Sequence, residues 1–202
     1  MARTIFTANE DSDDKGSGDD LNLTIEDNPG IATLFGPIDT DIAKEICHWI
    51  IAENFQEDKA EVLTLLINSI GGDLHAGFAI IETMMSSKIP VRTIAMGEVM
   101  SCGLIIAMSG TPGQRLITPS CSVMSHNFNT GIEGSYDQLK DIRTELDRVN
   151  HKIISHYKLC TGLTESVIKK KLVTPKDIYM NPEEAVKMNL FDRVDTLRVL
   201  YE

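Results

Sequence analysis

Five of the six side chains in residues 62–67 (Val62-Leu63-Thr64-Leu65-Leu66-Ile67) are large aliphatics, and the run ends at Asn68-Ser69-Ile70-Gly71-Gly72. A strand with one wet face alternates apolar and polar residues; this run does not, so both of its faces must be covered. That demand points to a sheet with chain packed on either side. The neighbouring segments supply the material. Residues 31–35 read as a strand closed by Gly36-Pro37, and residues 40–54 as a helix capped by Thr40, with Ile42, Ile46, Trp49 and Ile50 at helical spacing. Residues 74–87 read as a helix with Phe78, Ile81 and Met85 on one face, 91–96 as a strand and 102–108 as a short apolar helix. Residues 115–117 and 122–126 are strands, the second ending at His126. Strand and helix alternate throughout, so the fold class is α/β.

Residues 135–160 form a long amphipathic helix, with Leu139, Ile142, Leu146, Val149 and Ile153 in a three-four stripe among charged residues. Such a helix either projects to meet another subunit or lies on its own sheet. Asn181-Pro182-Glu183-Glu184 is a helix start, with a cap, a first-turn proline and acids at the positive end of the helix dipole. Residues 1–28 differ in texture: Glu10, Asp11, Asp13, Asp14, Asp19 and Asp20 stand among Ser and Gly, an acidic arm with too little apolar surface to offset its ordering entropy. Residues 29–202 are then expected to form one globular domain.

A net charge of −11 argues against a nucleic-acid-binding role, which needs a basic face. No apolar run approaches the ~18 residues of a membrane span, and no signal-peptide segment opens the chain. Cys47, Cys102, Cys121 and Cys160 lack metal-type spacing and read as reduced thiols of a cytoplasmic protein. His48, His75, His151 and His156 read as surface residues, none at H-x-x-x-H spacing, so no metal and no cofactor is expected.

The chemistry concentrates in three segments. Ser101 lies in Met96-Gly97-Glu98-Val99-Met100-Ser101-Cys102-Gly103, His126 in Val123-Met124-Ser125-His126-Asn127, and Asp177 in Lys176-Asp177-Ile178-Tyr179-Met180. A serine oxygen can attack a carbonyl if an imidazole takes its proton and a carboxylate holds the imidazole. Each residue alone has a plainer role. Ser101 could cap the following helix, His126 could be a satisfied structural histidine, and Asp177 could be a solvated loop carboxylate. The G-x-S-x-G elbow is incomplete, because Val99 stands at its first glycine. Cys102, at a helix N-terminus that can depress a thiol pKa, is a rival nucleophile.

Taken together, from about Ile31 to the C-terminus, these segments resemble the Clp protease family, the proteolytic subunit of that ATP-dependent protease. Residues 66–72 are similar to its apolar strand and N-S-P-G-G turn, 96–103 to its M-G-x-A-A-S-M-G segment, and 123–126 to its V-M-I-H segment. Residues 177–186 resemble its D-x-[FW]-[LM] and S-A-x-E-A stretch. The resemblance implies a crotonase-like fold of repeated β-β-α units with a projecting handle helix. It also implies a Ser101, His126, Asp177 triad and an oxyanion hole of the Gly72 and Cys102 amides. By the same resemblance the chain forms heptameric rings stacked as a tetradecamer, takes unfolded polypeptides as substrates and has a Clp-type AAA+ ATPase as partner. Ile70 replaces the turn proline, Asn127-Phe128 replaces Q-P after the histidine, Val99-Met100 replaces two alanines, and residues 1–30 lack the family's N-terminal segment. A divergent member, such as a viral one, would show this combination. The alternatives are a crotonase-type acyl-thioester enzyme and a non-catalytic ring subunit.

Overall fold

The structure is a computed structural model and describes residues 30–128, 131, 133 and 135–201. The acidic arm expected over residues 1–28 lies outside the described residues. In chain order come β1 (Ile31–Phe35), α1 (Thr40–Phe55), β2 (Leu63–Ser69), α2 (Leu74–Ser86), β3 (Val91–Met100), α3 (Cys102–Ala107), β4 (Arg115–Ile117) and β5 (Ser122–Ser125). Then follow α4 (Tyr136–Thr161), α5 (Glu165–Lys171), β6 (Ile178–Met180), α6 (Pro182–Lys187), β7 (Arg193–Val194) and a 3-10 turn at Leu197–Leu200. The fold is mixed α/β around a parallel sheet of order β1-β2-β3-β4-β7.

The continuous apolar run becomes the second strand of that sheet, and its alternate residues feed two clusters. Leu63, Leu65 and Ile67 enter the main core with Ile46, Ile50, Ile80, Ile81 and Leu104 from α1, α2 and α3. Leu66 faces the other way, with Ile94 and Leu116, beneath Leu197, Val199 and Leu200 of the 3-10 turn. Both faces are covered, as the lack of alternation requires.

The strand β3 is longer than the sequence pattern suggests and changes partner along its length. Thr93–Ala95 pair with β4, whereas Glu98–Met100 pair with β5. Between them Gly97 turns to φ +61, and the Asn68 side-chain oxygen accepts the Glu98 N–H at 3.2 Å. The neighbouring β2–β3 register shifts at the same level. From this bend β5 branches off the main path of the seven-stranded sheet, and β6 joins antiparallel to β5.

Several local expectations are corrected. Asp39, not Thr40, caps α1, its carboxylate accepting the Ile42 N–H at 2.9 Å; Thr40 is already helical. In α2, Met85 is exposed and Met84 takes the core position. His156 is buried rather than on the surface.

The helix α4 starts with a capping box between Ser135 and Gln138 and stops at Gly162, whose φ of +71 suits glycine. Its 26 residues span about 39 Å at ~1.5 Å per residue. No residue before Ile153 in it is buried, and Leu139 is 42% exposed. The helix's C-terminal half, through Val149, Ile153, Ile154, His156, Tyr157 and Thr161, seats it on the body. Among the described residues no helix is long and apolar enough to cross a membrane.

Candidate active site

Ser101 occupies the corner between β3 and α3, at φ +51 and ψ −123. Among the described residues only Asn189 is another non-glycine with positive φ. An L-residue is held there only where its surroundings over-determine it. The Ser101 N–H donates to the Met124 carbonyl of β5 at 3.0 Å, and α3 follows at once. The elbow's second glycine position is Gly103, where a Cβ would sit 2.7 Å from the Ser69 carbonyl oxygen. Val99, at the first position, is fully buried in the core, so the sharp turn forms without the first glycine. Ser101 does not cap the helix: its side chain makes no capping bond. The hydroxyl instead lies 2.8 Å from His126 Nε2.

The pairing of β5 with β6 explains how residues 51 positions apart in the chain meet. Ser125 pairs with Ile178, Met124 with Tyr179 and Val123 with Met180. One further step along this antiparallel ladder sets position 126 opposite position 177. His126 Nδ1 is 3.2 Å from Asp177 Oδ1. The imidazole is mostly covered, while the Asp177 side chain is 51% exposed. A carboxylate so open to water contributes mainly by orienting the ring. With Nδ1–H donating to Asp177, Nε2 is free to accept the Ser101 proton.

The glycine turn lies against this corner. A Cβ on Gly71 would come 2.8 Å from Ser101 Cβ and 2.9 Å from the Met100 carbonyl oxygen. The turn is fixed by Ile38, whose N–H donates to the Gly71 carbonyl at 2.9 Å and whose carbonyl accepts the Asp73 N–H at 2.8 Å. The Ser69 hydroxyl accepts the Gly71 N–H at 3.1 Å. No carbonyl among the described residues accepts the Gly72 or Cys102 N–H. Cys102 opens α3, where the first amides have no intrahelical acceptor.

The Cys102 thiol is not a rival nucleophile. It is buried, faces the Asp73 carbonyl at 3.5 Å, and burial, with the Asp73 charge adding, pushes its pKa up to about 12. Desolvation outweighs the helix N-terminus. Among the described residues no three His, Cys, Asp or Glu side chains cluster as a metal site.

The structure therefore brings together Ser101, His126 and Asp177, with Gly71 of the glycine turn and the Cys102 amide against the serine. It also adds a buried pair that sequence reasoning missed. Ser125 Oγ lies 2.8 Å from the Tyr157 hydroxyl and 2.9 Å from the Leu172 carbonyl oxygen. No local spacing announces a contact between residues 32 apart.

A serine hydroxyl, an imidazole and a carboxylate in sequence beside a free helix-start amide have the layout of acyl-transferring hydrolases. Residues 24–198 match the family model of the Clp protease. The chain is 30% identical over 158 residues to the ATP-dependent Clp protease proteolytic subunit of Deinococcus radiodurans, covering 78% of this chain and 76% of that one. It belongs to the Clp protease family.

Proposed function

We propose that the chain is a serine endopeptidase that cuts unfolded polypeptides with Ser101 as nucleophile, His126 as base and Asp177 as the group orienting His126. The observation that carries this is the 2.8 Å contact between Ser101 Oγ and His126 Nε2, with Asp177 behind the ring. As Oγ attacks the peptide carbonyl carbon, its proton passes to Nε2 and the carbonyl oxygen becomes an anion. The Gly72 and Cys102 amides donate to that anion. The Nε2 proton then goes to the leaving amine, the C–N bond breaks, and an acyl ester remains on Ser101. A water gives its proton to His126 and attacks the ester, releasing the carboxylic acid and restoring the hydroxyl. A crotonase-type thioester enzyme would use the two amides but has no need of a histidine in line with the serine, which favours proteolysis.

The assembly belongs to the same proposal. Ile142, Leu146 and Val149 on α4 stay partly exposed in the single chain. Two stacked heptameric rings would cover that stripe and enclose the sites in a chamber fed by a Clp-type ATPase. Residues 29–202 would form the catalytic domain, and the four unpaired cysteines suit a reducing cytoplasm. Fluorophosphonate labelling with peptide mapping tests the reading. Label is expected on Ser101, and Ser101→Ala is expected to lower peptide turnover by about 10⁴–10⁶-fold with assembly intact. Undiminished turnover in that variant would refute it.

A further inference from the structure

The groups of this chain that touch the reacting atoms are few, but the residues on either side of His126 are bonded to other elements. Ser125, Tyr157 and Leu172 are all fully buried. The Leu172 carbonyl can only accept, so the Ser125 hydroxyl donates to it at 2.9 Å. The remaining capacity of Ser125 Oγ is met by the Tyr157 O–H at 2.8 Å. The direction of donation is thus fixed from α4, through the end of β5, to the segment after α5. On the other side of His126, the Asn127 N–H donates to the Thr174 carbonyl at 2.8 Å. His126 is therefore flanked by two bonds to residues 172–174, the stretch that leads to Asp177. The Clp-family pattern similar to residues 123–126 has isoleucine where this chain has Ser125. An apolar side chain would fill a dry site of this kind, and a hydroxyl there is destabilising unless its bonds are made.

We propose that Tyr157 and Ser125 are positioning residues, a hydroxyl relay that sets the His126 imidazole against Ser101 and Asp177. This rests on the triad proposed above. Burial pushes the Tyr157 pKa up to about 12, so the donating proton is present throughout the working pH range. The relay also ties the seat of α4 to the base: movement of Tyr157 shifts Ser125, and the imidazole follows as its neighbour in the chain.

The test uses the full chain as Tyr157→Phe, Ser125→Ala and the double variant. Tyr157→Phe is the gentle one, since it leaves Ser125 bonded to Leu172. Five quantities are measured: melting temperature, sedimentation, kcat and KM on a fluorogenic peptide, and the fluorophosphonate labelling rate at Ser101. A ring displaced by a fraction of an ångström loses reactivity without losing substrate, so Tyr157→Phe is expected to lower kcat by about 10- to 100-fold with KM unchanged. The labelling rate should fall by the same factor, with sedimentation as in the wild type. The double variant should be no slower than the slower single one, because the two hydroxyls act as a unit. Wild-type kcat and labelling rate in Tyr157→Phe would overturn the proposal. So would a kcat loss matched by an equal loss of folded, assembled protein, which would make the pair purely structural. A wild-type protein that takes no label at Ser101 would instead remove the triad itself, an outcome visible before any variant is compared.

Discussion

A methyl group on Gly71 would meet the Ser101 Cβ at 2.8 Å, and the residue's φ of +101 is itself hostile to side chains. Gly71→Ala is therefore expected to cost about 1–3 kcal/mol of stability from the backbone alone. It should also abolish Ser101 labelling at temperatures where circular dichroism still reports a folded chain; wild-type labelling in that variant would show that the turn is looser than its geometry. Cys102 and Cys121 are both buried, with burial pushing their thiols up to about 12, so native protein treated with iodoacetamide at pH 8 should keep both unmodified. Mass spectrometry of the digest reads this directly, and early alkylation of Cys102 would revive it as a nucleophile. The residues now grouped at the corner were legible because three separate segments carried their own patterns in order. His156 was not: it is buried against Ser109, with Nε2 2.7 Å from its hydroxyl and its ring edge-on to Phe78. A buried polar side chain at one helical position leaves no mark in periodicity.

At the level of elements, α4 was the easiest helix to read, since its stripe repeats over several turns. The helix α5 and the strands β6 and β7, of 7, 3 and 2 residues, are too short to show a period. The strand β6 matters most among these, because its ladder to β5 is what carries Asp177 to His126. The sequence pattern ends β3 early because Gly97-Glu98 reads as a break, whereas Asn68 holds the strand through it. The uncovered half of α4 makes a distinct prediction. Leu146 is only partly buried in the single chain, so Leu146→Asp should fold, yet place an unpaired charge in any contact that covers the stripe. The expected outcome is dissociation into single rings or smaller pieces with reduced peptidase activity, measured by analytical ultracentrifugation. Wild-type protein sedimenting as a monomer at micromolar concentration would rule out the ring arrangement.

Across the whole molecule, one side chain joins parts that are distant in sequence. Arg115 pairs with Asp192 at 2.6 Å and donates to the Cys160 carbonyl at 2.8 Å and the Asn189 carbonyl at 3.1 Å, stitching β4 to the end of α4 and the α6–β7 loop. Acid should loosen the same body through His156. Burial first, and the Lys152 charge second, lower its pKa from 6.5 to about 4. Between those values the unfolded chain takes up a proton that the folded chain does not. Stability is therefore lost as pH falls through that window, by about 3 kcal/mol in all, and this group contributes no change above it. Urea midpoints from pH 7 to 4 should fall more steeply for the wild type than for His156→Gln; parallel curves would contradict the assignment. The ladder between β5 and β6 has a consequence in time. Ser101 leaves the ribosome well before Asp177. The proposed cutting machinery cannot form until residues 178–180 have docked on β5. A half-folded chain is then expected to leave its neighbours uncut.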